Sequence, residues 1–172
     1  MKEKEERRMT PEQAKVVGDF LIADFEHEMQ VTLKVLAAVP ADHLDYQPDA
    51  KSSTGLGLIR HIPVLDAWLL NSIADGTFGG PPEQPEACGI STPEDAIACY
   101  KERVPAALER VRGLSAEQMA GIIDFFGVMQ LQAVTLVQLT IKHSVHHRGQ
   151  LSAYLRSMGG KVPGIYGSSA DK

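Results

Sequence analysis

The stretch that decides the fold class is residues 130–158, QLQAVTLVQLTIKHSVHHRGQLSAYLRSM, which carries a helical pattern of apolar residues. Side chains three or four positions apart share one face of a helix. One such face is mostly apolar and consists of Leu136, Thr140, His143, His147, Leu151, Tyr154 and Met158. Gly159 and Gly160 end the pattern, and Pro163 follows them. We therefore predict a helix from about Gln130 to Met158 whose histidine-bearing face points into the protein core.

Capping signals and apolar periodicity predict three further helices upstream. The first opens with the capping pattern Thr10-Pro11-Glu12-Gln13 and is stopped by Pro40. The second covers about residues 54–74 and contains Pro63, which removes one backbone hydrogen bond and favours a kink. The third covers about residues 92–112 and opens with another capping pattern.

The connections between these helices complete the prediction. Residues 75–91 are rich in glycine and proline and form a long loop. Roughly 15 extended residues can cover ~50 Å, whereas a helix of ~20 residues is only ~30 Å long. The loop can therefore return along the bundle and make its two flanking helices parallel. Residues 115–118 resemble a short helical turn, residues 122–126 fit either a helix or a strand, and strand alternation is nearly absent. The predicted fold class is all-α, a four-helix bundle.

The overall composition indicates one globular domain and argues against nucleic acid and membranes as partners. The chain has 172 residues, 44% of them hydrophobic, and a formal net charge of -5, which argues against nucleic acid as a partner. We expect a single domain with a flexible tail at residues 1–9 and a C-terminal extension at residues 160–172. No apolar run is long enough for a membrane span, no signal peptide is recognised, and Cys88 and Cys99 have no paired spacing. We therefore expect a cytoplasmic protein that does not bind membranes.

Three of the six histidines lie within five residues of one another, and their spacing decides which can act together. His143 and His147 are four positions apart, so they lie about 40° apart around a helix and one turn apart along it. His146 falls on a more polar face and is expected at the surface. His61 lies on the apolar face of the second helix and is the natural third member. An inward histidine is more often a core residue with a satisfied hydrogen bond than a ligand, so spacing alone leaves both interpretations open.

The residues around these histidines resemble a known family. The run His143-Ser144-Val145-His146-His147-Arg148-Gly149-Gln150-Leu151 and the glycine and proline after the helix are similar to the C-terminal signature of the DinB/YfiT-like metalloenzymes. Upstream, Asp42–Pro48 resembles the link after that family's first helix, and Gly57–Ile62 resembles its second-helix segment with the first histidine. The resemblance covers about residues 10–167 in matching order. Pro63, close behind the first histidine, departs from the family pattern.

The resemblance implies a metal site, a topology and an assembly. The family's three ligands fall on His61, His143 and His147, its bundle runs up-down-down-up, and its members are commonly homodimers. The implied cofactor is one divalent transition metal ion, with zinc or nickel as the first choices, although imidazole also suits copper and iron.

Neighbouring residues complete the predicted site. Thr140 and Asp66 are predicted to accept the second ring hydrogen of a ligand histidine, and Tyr154 is the best candidate for a pocket residue. Arg148 and Gln150 are expected to pair with neighbouring helices, and Gly149 is expected to allow a close helix approach. No catalytic base can be named.

Two classes of function remain open from the sequence. Three histidine ligands leave a position for water or substrate, which favours a metal-dependent enzyme. The family resemblance implies a thiol-dependent transferase or a hydrolase, with a small molecule or a low-molecular-weight thiol as its partner. The alternative is a stress-associated metal-binding or interaction protein without turnover. A role in DNA repair is disfavoured by the acidic balance.

Overall fold

A computed structural model describes residues 8–82, 84 and 88–171, and most of this part of the chain is helical. The elements in chain order are α1 (Pro11–Ala37), a short 3-10 turn (Ala41–His43), α2 (Gly55–Asp75), α3 (Pro93–Arg112), α4 (Ala116–Ala120), β1 (Ile122–Phe125), β2 (Met129–Gln132) and α5 (Ala133–Leu155). Residues 1–7 of the predicted tail and part of the predicted long loop lie outside the described residues.

Local sequence signals position the helix starts. Thr10, Thr92 and Ser115 each cap a helix and form a reciprocal capping box with the residue three positions on. The side chain of Thr54 accepts a hydrogen bond from the backbone N–H of Gly57 at the start of α2. Gly76 ends α2 with φ +70°, a left-handed conformation that glycine adopts without strain. The predicted helices at residues 10–40, 54–74 and 92–112 are therefore confirmed to within a few residues.

The region between α4 and α5 corrects the all-α prediction. β1 and β2 form an antiparallel hairpin that pairs Ile122 with Gln132 and Phe125 with Met129. The predicted start of the last helix near Gln130 was wrong, because Met129–Gln132 is a strand and α5 begins at Ala133. The sequence left residues 122–126 open between helix and strand, because strands of only four residues are too short for clear alternation.

Four long helices surround one hydrophobic core. α2 contacts α3 and α5, and α1 contacts α5 and α3. Arg60, near the start of α2, donates to the carbonyl oxygen of Ile90, close to the start of α3 (2.7 Å). At the other end, Arg110 of α3 bonds Asn71 and Asp75 of α2. No helix of the described residues combines the length and apolarity that crossing a bilayer requires.

The mostly apolar face predicted for the last helix points into the core, as expected from the sequence. Leu136, Thr140, Leu151, Tyr154 and Met158 are buried, and the two histidines between them are partly buried. His146 is exposed, as predicted from its more polar face. The predicted role of Gly149 was wrong, because a Cβ atom at this exposed position would have no atom of another described helix within 4 Å.

Gly149→Ala is therefore expected to stabilise the protein by about 1 kcal/mol, because glycine in a helix interior costs about that much relative to alanine. Gly160→Ala is the matched control. A Cβ atom there would lie 2.9 Å from the carbonyl oxygen of Ala38, so we expect a loss. Overpacking of this kind typically costs about 1–3 kcal/mol. Urea unfolding of both variants measures the difference, and destabilisation by Gly149→Ala would show that the position is packed after all.

Candidate metal centre

The three predicted histidines meet between α2 and α5. His61 lies two turns into α2, and His143 and His147 lie one turn apart in the middle of α5. Pro63 sits inside α2, but it does not keep the ring of His61 away from the other two.

The ring nitrogens face one another. The Nε2 atom of His61 lies 3.1 Å from Nε2 of His143 and 3.1 Å from Nε2 of His147. One ring nitrogen from each of the three histidines lies within 4.8 Å of the other two, close enough for all three to bind one metal ion. In each of the three imidazole rings, the Nε2 atom therefore faces the centre of the cluster.

The opposite ring nitrogens of the α5 pair contact oxygen acceptors. Nδ1 of His143 lies 3.2 Å from Oδ1 of Asp66, and Nδ1 of His147 lies 2.8 Å from Oε1 of Gln150. A carboxylate or amide oxygen accepts hydrogen bonds, so each Nδ1 is the nitrogen that carries the hydrogen. In a neutral ring the Nε2 atom is then left with a free lone pair, and both lone pairs point at the centre of the cluster.

Two of the three histidines have lowered pKa values, which favours the neutral form of their rings. Burial lowers the pKa of His61 to about 4, and the charges of His147 and His143 act in the same direction. Burial also lowers the pKa of His147, although its hydrogen bond to Gln150 acts the other way. At pH 7 both rings are therefore neutral, which is the form of imidazole that binds metal ions.

This donor set fits a divalent transition metal ion. A tetrahedral ion with nitrogen ligands at ~2.0–2.1 Å holds neighbouring nitrogens about 3.3 to 3.4 Å apart. The two Nε2 distances of 3.1 Å are close to that spacing. The side chain of His143 is 20% exposed, so the cluster is not fully enclosed.

Of the other predicted site residues, one contacts the cluster and two make contacts elsewhere in the protein. Asp66 is fully buried and contacts the ligand candidate His143. The hydroxyl of Thr140 donates to the carbonyl oxygen of Leu136 (2.9 Å). The ring of Tyr154 packs edge-on against Tyr46, with centroids 5.4 Å apart. His27 and His43 are exposed and lie outside the cluster.

Arg148 pairs with a neighbouring helix as predicted, whereas Gln150, which was expected to do the same, bonds a histidine of its own helix. Gln150 bonds His147 three positions before it, a helical spacing that could have identified the pair. Arg148 is buried and forms an ion pair of 2.5 Å with Glu28 of α1. Tyr166 joins this pair, because its hydroxyl donates to Glu28 (2.9 Å) and accepts from Arg148. The apolar stripe of α1 gave no signal that Glu28 faces inward.

Two described cavities lie away from the histidines. A cavity of about 510 Å³ lies between α2 and α3, beside Trp68 and Arg110. A second, of about 230 Å³, lies at the end of α2 near β1. No histidine of the cluster lines either of them.

Comparison with known proteins gives matches over most of the chain. The family model described as "DinB family" matches residues 13–172. Two Bacillus subtilis (strain 168) proteins are similar: "Uncharacterized protein YjoA" is 26% identical over 140 residues, covering 81% of this chain and 89% of YjoA. "Uncharacterized protein YrdA" is 28% identical over 156 residues and covers 90% of both chains.

Solved structures share the fold. The crystal structure of YjoA, a DinB-like protein from Bacillus subtilis, superposes with a TM-score of 0.69 at 24% identity, covering 86% of this chain and 98% of that one. The crystal structure of a DinB-like protein from Bacillus cereus gives a TM-score of 0.70 at 24% identity, covering 85% and 95%.

Proposed function

The chain belongs to the DinB family, and from that premise we propose that it binds one divalent transition metal ion through Nε2 of His61, His143 and His147. The observation that carries the proposal is the convergence of the three Nε2 atoms, with 3.1 Å from His61 to each of the others. We propose zinc or nickel as the ion, two of the metals that imidazole nitrogens suit.

We further propose that the site is catalytic, in a thiol-dependent transferase or a related metal-dependent enzyme. Three protein ligands leave a position for substrate or water, and the partial exposure of the cluster supports access to it. A bound ion would supply Lewis-acid chemistry or hold a thiolate for attack on an electrophile. The protein's own part is to hold the three rings, with Asp66 and Gln150 fixing the orientation of the α5 pair.

The second proposal is a metal-binding or interaction protein without turnover. One observation favours it: no histidine of the cluster lines either of the two cavities described above. The two proposals differ in what they require beside the ion, because catalysis needs room for a substrate and simple binding does not.

Two measurements on untagged protein test these proposals. Elemental analysis of protein purified without a histidine tag is expected to give close to one equivalent of zinc or nickel per chain. Metal-loaded protein is then assayed with low-molecular-weight thiols and a generic electrophile, beside His143→Ala and the exposed control His146→Ala. We expect turnover by the wild type and by His146→Ala only. Equal rates for all three, with the metal still bound by the wild type, would favour the non-catalytic proposal.

Membership of the family is also the basis for proposals about helix order, oligomeric state and location in the cell. We propose an up-down-down-up order for the four long helices, supported by the contacts of Arg60 and Arg110 that join matching ends of α2 and α3. We also propose a single-domain cytoplasmic homodimer. The exposure of Val16 and Phe20, one turn apart on α1 and 71% exposed each, supports the dimer.

A further inference from the structure

The cavity between α2 and α3 takes no part in the proposed metal site. Its volume of about 510 Å³ falls within the range of about 300–1,000 Å³ that is typical of small-molecule sites. Ala67 of α2 and Ala106 and Ala107 of α3 line it, together with the buried side chain of Val64. Because alanine side chains are short, the two helices leave an apolar recess between them at this level.

One wall of the cavity is aromatic. It is formed by Trp68, the only tryptophan in the sequence. The ring of Trp68 packs against that of Phe78, with centroids 5.2 Å apart, and lies nearly parallel to that of Phe126, at 6.2 Å and 8°. Aromatic rings favour further aromatic rings in offset or edge-to-face contact. The wall therefore suits a planar aromatic ligand.

The turn that carries Phe126 indicates that its ring has a role. The N–H of Val128 donates to the carbonyl oxygen of Phe125 (3.0 Å), and the two central residues, Phe126 and Gly127, have φ values of 54° and 70°. Asn-Gly is the favoured pair for such a turn, and a bulky residue with positive φ is strained. Strained residues cluster at functional sites. What this strained position provides is a ring against Trp68, the wall of the cavity.

The charged side chains around the cavity include more cations than anions. Arg103 and Arg110 line it with a single carboxylate, that of Glu102. Oδ1 of Asn71, which also lines it, accepts from Arg110, so the amide nitrogen supplies two further donors. Arg110 also bonds Asp75, which lies outside the lining, and we therefore expect anion binding to depend mainly on Arg103. Guanidinium groups pair with planar anions and stack on aromatic rings, which makes an anionic aromatic compound the complementary ligand.

We propose that this cavity binds a planar aromatic molecule that carries one anionic group, with the ring against Trp68 and the anionic group beside Arg103. No histidine of the cluster lines the cavity. Binding therefore does not require the metal ion, and the inference stands apart from the proposed metal-dependent activity.

The test uses full-length ¹⁵N-labelled protein and naphthalene-2-sulfonate as the probe. The single indole N–H signal belongs to Trp68 and reports directly on the cavity wall. We expect it to shift saturably with a Kd of about 1 mM or tighter, as ligands of this size typically reach. The uncharged compound 2-naphthol is expected to bind about tenfold more weakly, because it lacks the charge-assisted hydrogen bond. The Kd is expected to be the same with and without zinc.

Two variants locate the ligand in the cavity. Ala106→Phe fills the space and Arg103→Gln removes the charge, and each is expected to weaken binding of naphthalene-2-sulfonate by about tenfold or more. Ala23→Phe, at an exposed position of α1, and Lys101→Gln, which removes an exposed cation of α3 outside the lining, are the matched controls. Both controls are expected to bind like the wild type.

Three results would overturn the proposal. They are an indole signal that does not move, a Kd that is unchanged in either cavity variant, and equal affinities for naphthalene-2-sulfonate and 2-naphthol. Circular dichroism checks the fold of each variant. Should Ala106→Phe fail to fold, Arg103→Gln decides alone, because it changes an exposed side chain.

Discussion

His143→Ala is expected to weaken zinc binding by at least about a hundredfold. Zinc bound by four protein ligands gains about 10–16 kcal/mol near neutral pH, so each ligand contributes about 3 kcal/mol, and every 1.4 kcal/mol is a factor of ten in Kd. His143 contributes one of the three Nε2 atoms and is also the ring that Asp66 orients. Its loss therefore removes a donor and leaves the buried Asp66 without its imidazole partner.

Calorimetric titration of untagged protein with zinc measures this change directly. Thermal unfolding gives a second readout, because a ligand at 100 times its Kd stabilises the folded state by about 2.7 kcal/mol. We expect zinc to raise the Tm of the wild type and of His146→Ala, and to leave that of His143→Ala unchanged. His146 is the appropriate control, since it lies on the same helix but is exposed and outside the cluster. A Kd for His143→Ala within threefold of the wild-type value would rule out His143 as a ligand.

The sequence predicted those parts of the fold that local interactions determine. The capping boxes at Thr10, Thr92 and Ser115 involve residues three positions apart, so they can be recognised without knowing the tertiary structure. The face shared by His143 and His147 follows from the helical repeat alone. The hairpin was missed because its loop uses Phe126-Gly127, both with positive φ, in place of the Asn-Gly or Asp-Gly pair that usually signals such a turn.

What the sequence could not supply is the pairing of polar groups between helices. Asp66 is 77 positions from His143, and Glu28 is 120 positions from Arg148, so no spacing rule joins either pair. Glu28 follows the polar residues Glu26 and His27 in α1, so its local sequence does not indicate burial. Its burial depends on a cation that another helix brings to the same place.

The buried guanidinium of Arg148 is the basis of the second large effect that we predict. Arg148→Met is expected to lower the free energy of unfolding by about 3–5 kcal/mol, because removing one partner of a buried ion pair leaves the other charge uncompensated. Arg148 is 1% exposed and Glu28 is 6% exposed, and their side chains lie 2.5 Å apart. The guanidinium also donates to the carbonyl oxygen of Glu28 and to Tyr166, so the substitution removes several bonds together.

Urea unfolding of three variants separates the loss of charge from the loss of packing. Arg112→Met removes a surface ion pair with Glu26 whose side chains are 39% and 51% exposed, and such pairs contribute at most about 1 kcal/mol. The double variant Arg148→Met with Glu28→Leu is expected to recover most of the stability lost in Arg148→Met, since apolar replacements of a buried pair are often neutral or better. If the double variant is as unstable as the single one, the stabilising contribution of Arg148 comes from its other hydrogen bonds and its packing rather than from Glu28. If Arg148→Met costs no more than Arg112→Met, the pair is effectively solvated, and α1 and α5 are held together by their apolar side chains alone.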